Sequence, residues 1–147
     1  MPDDLESLLR TAAERIGRET SCSVIVRSRG GLLRAASSDD ASAACDDAEV
    51  TDRRGPCVLA MDQLAGVIVP DVDAETRWPA WVEAARAHGF RSGAALPAYV
   101  ADDTVAALNL YSRDLDPWDA DALVRADGYV QAIASSVRER GLHRPRT

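Results

Sequence analysis

Apolar residues recur along this chain with two different periods, and the alternation between them sets out the elements. Leu5, Leu8, Leu9, Ala12 and Ile16 fall at helical spacing, with Asp3 or Asp4 to cap the start and Gly17 near the stop. The run Ser21 to Arg27 is β-branched and alternates. Gly30-Gly31 then turns the chain into a second strand, Leu32 to Ser37, so the pair reads as a hairpin. Residues Ser38 to Arg54 are rich in Ser, Asp and Ala without a strong period, which leaves a surface loop and a weak helix both open. From Gly55 a short helix is expected through Val58, Leu59, Met61 and Leu64, closed by Gly66, and Val67-Ile68-Val69 reads as a short buried strand ended by Pro70.

Helical spacing returns from Arg77 to His88 through Trp78, Trp81, Val82 and Ala85, with Gly89 where a left-handed cap belongs. Ser92 to Ala101 and Thr104 to Ser112 are almost wholly apolar strands joined by Asp102-Asp103, and both faces of such strands must be covered. A long last helix follows, with Asp116 as cap, Pro117 in the first turn and a stripe of Trp118, Ala122, Ala126, Tyr129, Val130, Ile133 and Val137. The order of elements predicts an α+β domain, an antiparallel sheet with helices packed on it. Residues 1–140 are expected to form this one domain, and 141–147, without periodicity, are expected to be a disordered tail.

Charge narrows the function classes. The 147 residues carry 17 basic side chains, all of them Arg, against 24 acidic ones, for a net charge of -7. An acidic balance repels phosphate backbones and anionic lipid, so direct nucleic-acid and membrane partners are not expected. No stretch has membrane-spanning length, and the acidic amino terminus lacks the positive charge of a secretory signal, so a cytoplasmic protein is expected. Cys22, Cys45 and Cys57 lack the short paired spacing of a zinc site, and their odd number argues against a disulfide framework. His88 and His143 stand in different contexts, which supports neither a metal site nor a Ser-His-Asp arrangement.

Several short motifs together resemble the GAF family, in particular the GAF domains of actinobacterial regulators in which an ANTAR domain often follows. They are Arg53-Arg54-Gly55-Pro56-Cys57 opening a helix, Val69-Pro70-Asp71-Val72, Arg77-Trp78-Pro79, Gly89-Phe90-Arg91-Ser92 and Ala107-Leu108-Asn109-Leu110-Tyr111-Ser112. The resemblance implies a GAF-like fold: a central antiparallel sheet with the terminal helices on one face and short helices and loops over a pocket on the other. It also implies a pocket that takes a small-molecule ligand or nothing at all, with the cofactor left unknown, and the homodimerisation through the first and last helices that is frequent in the family.

The candidate ligand-binding residues are Cys57, Trp78, Trp81, Arg91, Asn109 and Tyr111, with no catalytic and no metal-binding residue. Asn109 and Tyr111 share one sheet face by period-two geometry, and the resemblance makes it the pocket face. Trp78 and Trp81, three apart, would share a helix face as a cavity wall or as core. Cys57 begins a helix, whose dipole favours thiolate, although a small buried thiol filling a tight spot is the simpler reading. Arg91 could anchor an anion or stand solvated.

Some GAF domains of this length are free methionine-R-sulfoxide reductases. Cys45 and Cys57 resemble the two upstream cysteines of that group, but no cysteine follows Cys57. The acidic clamp positions hold Gly93, Asn109 and Tyr111. The expectation is therefore a sensory or regulatory module and not an enzyme, with a ligand-free dimerisation module as the alternative.

Overall fold

The computed structural model describes residues 3–140. In chain order the helices are α1 (Asp3–Ile16), α2 (Asp40–Asp52), α3 (Pro56–Gln63), α4 (Pro79–Ala87) and α5 (Ala120–Arg140). The strands are β1 (Ser21–Ser28), β2 (Gly31–Ser37), β3 (Val67–Val69), β4 (Ser92–Ala101) and β5 (Thr104–Ser112). The expected tail, 141–147, and the expected capping side chains of Asp3 and Asp4 lie outside the described residues.

The strands form one antiparallel sheet in the order β2-β1-β5-β4-β3. Period two divides its side chains between two cores. On one face Cys22, Val24 and Val26 of β1, Ala94 and Ala98 of β4, and Ala106, Leu108 and Leu110 of β5 meet the apolar stripes of α1 and α5. On the other, Ile25, Val67, Val69, Ala95, Ala107 and Tyr111 pack beneath α2, α3 and α4. Both faces are covered, as the apolar character of β4 and β5 required, and the architecture is the α+β, GAF-like one expected.

Four local readings change. The first hairpin turns at Arg29-Gly30, both with positive φ (55° and 82°), which suits the twist of a two-residue hairpin; Gly31 already belongs to β2. Residues Ser38 to Arg54 resolve into a helix. The Asp39 side chain caps α2 by accepting the Ser42 N–H at 2.8 Å, and Arg53 ends it in the left-handed region. Trp78 is the residue preceding α4 and not a member of it. Finally, α5 starts later than Asp116-Pro117 suggested: Asp119 is the cap, accepting the Ala122 N–H at 2.8 Å, while Trp118 is buried ahead of the helix and donates to Thr20 Oγ1 at 2.9 Å.

Candidate functional site

The second face of the sheet differs from the first in what it buries. The inward side of α2 is Ser42, Cys45, Asp46 and Glu49, spaced at i, i+3, i+4 and i+7, so four polar or thiol side chains occupy the stripe where a surface helix normally carries its apolar residues. Asp46 is 0% and Glu49 1% exposed. Burial without a cationic partner is costly for a carboxylate, so each must be compensated by hydrogen bonds or by a proton.

Asp46 meets the sheet. In the ladder, Asn109 of β5 stands opposite Ser23 of β1 and Ala95 of β4, and Tyr111 stands opposite Ser21 and Gly93. Asn109 Nδ2 donates to both Asp46 oxygens at 3.1 and 3.2 Å, and the Tyr111 hydroxyl donates to Oδ1 at 2.8 Å. Burial pushes the Asp46 carboxyl up to about 6 even though the neighbouring Ser23 hydroxyl, these two donors and the Arg34 charge act the other way. The Tyr111 phenol is driven well above its ordinary value by burial and by the acids beside it, which keeps it a donor. Two polar atoms here have no hydrogen-bond partner among the described residues, Asn109 Oδ1 and Ser23 Oγ. Ser23 lies beside the Asp46 carboxyl without reaching hydrogen-bonding geometry.

Glu49 meets α3. Its Oε2 accepts the Val58 N–H at 2.9 Å, which caps the first turn of α3 from a neighbouring helix and places a carboxylate at the positive end of the dipole. The fit depends on Gly55: a Cβ there would overlap the Glu49 carboxyl. Burial nevertheless raises Glu49 to about 8, with the Asp46 charge adding to the rise and the N–H donors opposing it.

The expected pocket space is filled by aromatic side chains. Trp81, 1% exposed, presses its six-membered ring against the bare backbone of Gly93, where a Cβ would lie 2.8 Å from it, and its Nε1 donates to the Tyr111 hydroxyl at 3.2 Å. Phe90 stacks on Tyr111 at 5.1 Å between ring centroids, and Trp78 meets Trp81 edge-on at 6.3 Å. The Arg77 guanidinium lies 4.1 Å over the Trp78 ring and closes the outer side.

Of the six residues singled out from sequence, Trp81, Asn109 and Tyr111 form one hydrogen-bonded group, with Trp78 against it. Cys57 borders the group, fully buried at the start of α3. Its thiol is pushed well above the ordinary value by burial and by Glu49 and Asp46, against the opposing pull of the Asn109 side chain beside it, so the helix dipole does not win there. Arg91 is apart from them. Its side chain is exposed, and its backbone bonds Ser112 and Val72. Asp46, Glu49 and Phe90 were missed. The strand positions Gly93, Asn109 and Tyr111 carry no carboxylate, but α2 brings Asp46 and Glu49 to this face. Two open surface grooves lie elsewhere, one of about 850 Å³ along the outer side of α4 at Glu75, Pro79 and Glu83, the other of about 330 Å³ between α1 and α5 at Leu8, Tyr129 and Ala132.

The model of the GAF domain family matches residues 2–137. The chain belongs to the GAF domain family. Among solved structures, this GAF domain is similar to that of a two-component sensor histidine kinase from Bacillus halodurans (TM-score 0.70, 12% identity, 96% of each chain covered). It is also similar to a type II free methionine-R-sulfoxide reductase from Thermoplasma acidophilum (TM-score 0.69, 15% identity, 93% of this chain and 92% of that one). A third similar structure is SdiA, known from Escherichia coli, in complex with octanoyl-rac-glycerol (TM-score 0.73, 16% identity, 96% of this chain and 61% of that one). At these identities the likeness is one of fold. No curated protein matches the chain in sequence. Among the described residues no helix is long and apolar enough to cross a membrane.

Proposed function

We propose that this GAF domain is a cytoplasmic sensory module that takes a small molecule between the sheet and α2, α3 and α4, and reports it through α1 and α5. The observation that carries this reading is the group built from Asp46, Asn109 and Tyr111. A buried carboxyl is tied to two strand side chains, and Asn109 Oδ1 is left without a partner although Asn109 is only 2% exposed. A buried acceptor without a donor costs about 1–3 kcal/mol, a deficit that a bound ligand removes. Trp81 covers this group as a plug, held to the sheet by one hydrogen bond and by the shape of Gly93.

Transmission has a short route. Asn109 and Tyr111 alternate along β5 with Leu108 and Leu110, which pack under α1 and α5, so a shift of β5 on one face repacks the other. The output is a homodimer contact or a partner contact through the terminal helices, and the net charge of -7 disfavours nucleic acid as the direct partner. The module acts without catalysis: Cys57, at the start of α3, is held as a thiol by burial and acidic neighbours, the reverse of an activated nucleophile. SdiA, a structural neighbour, holds a small lipid-like molecule, which agrees with ligand binding on this fold.

One observation favours the second reading, a ligand-free dimerisation module: the aromatic side chains fill the pocket space. Native mass spectrometry of the protein purified from its own host separates the two. The sensory reading expects a small bound mass that leaves on denaturation; a bare chain mass in a dimer that no small molecule stabilises contradicts it.

A further inference from the structure

The unmet needs of this buried group specify a ligand chemistry. Asp46 and Glu49 together present two acids in one apolar interior, and among the described residues neither takes part in an ion pair. Arg34, the base whose charge acts on Asp46, is engaged by the exposed Asp47 at 2.8 Å. The third feature is independent of charge. Asn109 Oδ1, on a side chain whose amide nitrogen is committed to Asp46, is a buried acceptor that makes no hydrogen bond among the described residues, although the weakly donating Cys57 thiol lies beside the Asn109 side chain. Around these acceptors stand π faces, with Phe90 stacked on Tyr111 and Trp81 centred 6.1 Å from Tyr111.

Carboxylates, an amide oxygen and aromatic faces all attract the same thing, a positive charge bearing N–H donors. An anion is repelled by the Asp46 charge. A neutral apolar molecule leaves Asn109 Oδ1 unpaired, and among the described residues no group of three His, Cys, Asp or Glu side chains is placed to hold a metal ion.

We propose that the site binds a small primary amine with a compact apolar body, its ammonium nitrogen set among Asp46, Glu49 and Asn109 Oδ1 and its body in the place now taken by the Trp81 indole. This rests on the sensory reading and names its ligand class. Trp81 is the side chain that yields. It comes from α4, whose entry residue Trp78 is held from outside by Arg77, and displacing it exposes Gly93 and the Tyr111 hydroxyl, which leads on to Asp46 by its hydrogen bond. At neutral pH Asp46 is already largely ionised while Glu49 holds its proton, so the cationic charge displaces the Glu49 proton and binding releases up to about one proton.

The test uses the full chain and three probes of one shape: phenethylamine, its neutral counterpart 2-phenylethanol, and its anionic counterpart 3-phenylpropionate. The amine is expected to raise the melting temperature at millimolar concentration, to change tryptophan emission as Trp81 leaves Gly93, and to bind at least tenfold tighter than the alcohol, with the carboxylate inert. Calorimetry in two buffers of different ionisation enthalpy should show proton release with the amine alone. Glu49→Gln should cut the preference for amine over alcohol by about tenfold, and Asp46→Asn is the companion variant if the first folds poorly. Equal or tighter binding of 2-phenylethanol, or amine binding without proton release, overturns the amine assignment and leaves the pocket standing. If none of the three binds and tryptophan emission never changes, both the amine assignment and the pocket reading fall.

Discussion

The two faces of this sheet are built from the same strands and solve burial in opposite ways. Beneath α1 and α5, Leu9, Ile16, Leu108, Leu110, Ile133 and Val137 make an apolar core whose stability is the transfer of hydrocarbon out of water. Beneath α2, α3 and α4, the same alternation delivers Asn109 and Tyr111 to the buried Asp46, while Glu49 beside it takes the Val58 N–H, so the interior is held by hydrogen bonds to buried acids. A core of the first kind resists change and tolerates swaps of similar volume. The second kind has discrete protonation and hydrogen-bonding states, which is what a sensing element needs.

The largest effect that sharpens this contrast is on the apolar side. Ile133→Ala is expected to cost about 2–5 kcal/mol, read as a lower urea midpoint, with tryptophan emission at the second face unchanged. A smaller loss comes from overpacking the second face. Gly93→Ala places a Cβ where the Trp81 ring now sits and should cost about 1–3 kcal/mol with a clear change in tryptophan emission. Asp39→Ala removes the cap of α2 and its bond to Ser21, at about 1 kcal/mol by thermal melting. Glu6→Ala breaks an exposed ion pair with Arg10 on α1 and should lie within about 0.5 kcal/mol of wild type.

The faces also differ in their response to pH. Glu49 sits at about 8 in the folded protein against an ordinary 4.5, so the folded state holds the proton more tightly than the unfolded one. Its contribution to stability is whole below about 4.5 and is lost as pH rises to about 8. Asp46 acts in the same sense between 3.8 and about 6. Glu49→Gln keeps an acceptor for the Val58 N–H and cannot ionise. Its stability relative to wild type should therefore improve steadily as pH rises through that window, whereas Ile133→Ala should show a constant difference.

The same contrast decides what could be read from the amino acids alone. The bounds of β4 and β5 were legible to the residue because two mostly apolar runs are separated by the Asp102-Asp103 turn. The stripe of α5 was legible too, although its start was placed at Asp116, since the two Asp residues, 116 and 119, offer the same capping chemistry and only tertiary contact chooses between them. α2 was left undecided because its buried stripe is polar. The spacing of Ser42, Cys45, Asp46 and Glu49 is helical, yet a search for apolar periodicity passes over it. For the site, Asn109, Tyr111 and Trp81 could be found from strand period and resemblance. Asp46 and Glu49 could not, because nothing local distinguishes them from Asp40, Asp47 or Asp52, the exposed acids of the same helix.

Carbon-13 NMR titration of the side-chain carboxyls, assigned at Asp46 and Glu49, is the most direct measurement of the buried acid pair. The structure predicts midpoints near 6 for Asp46 and near 8 for Glu49, set apart from the exposed acids. Midpoints at or below their ordinary 3.8 and 4.5 would mean that α2 turns these side chains to water, and the account of the second face would be wrong.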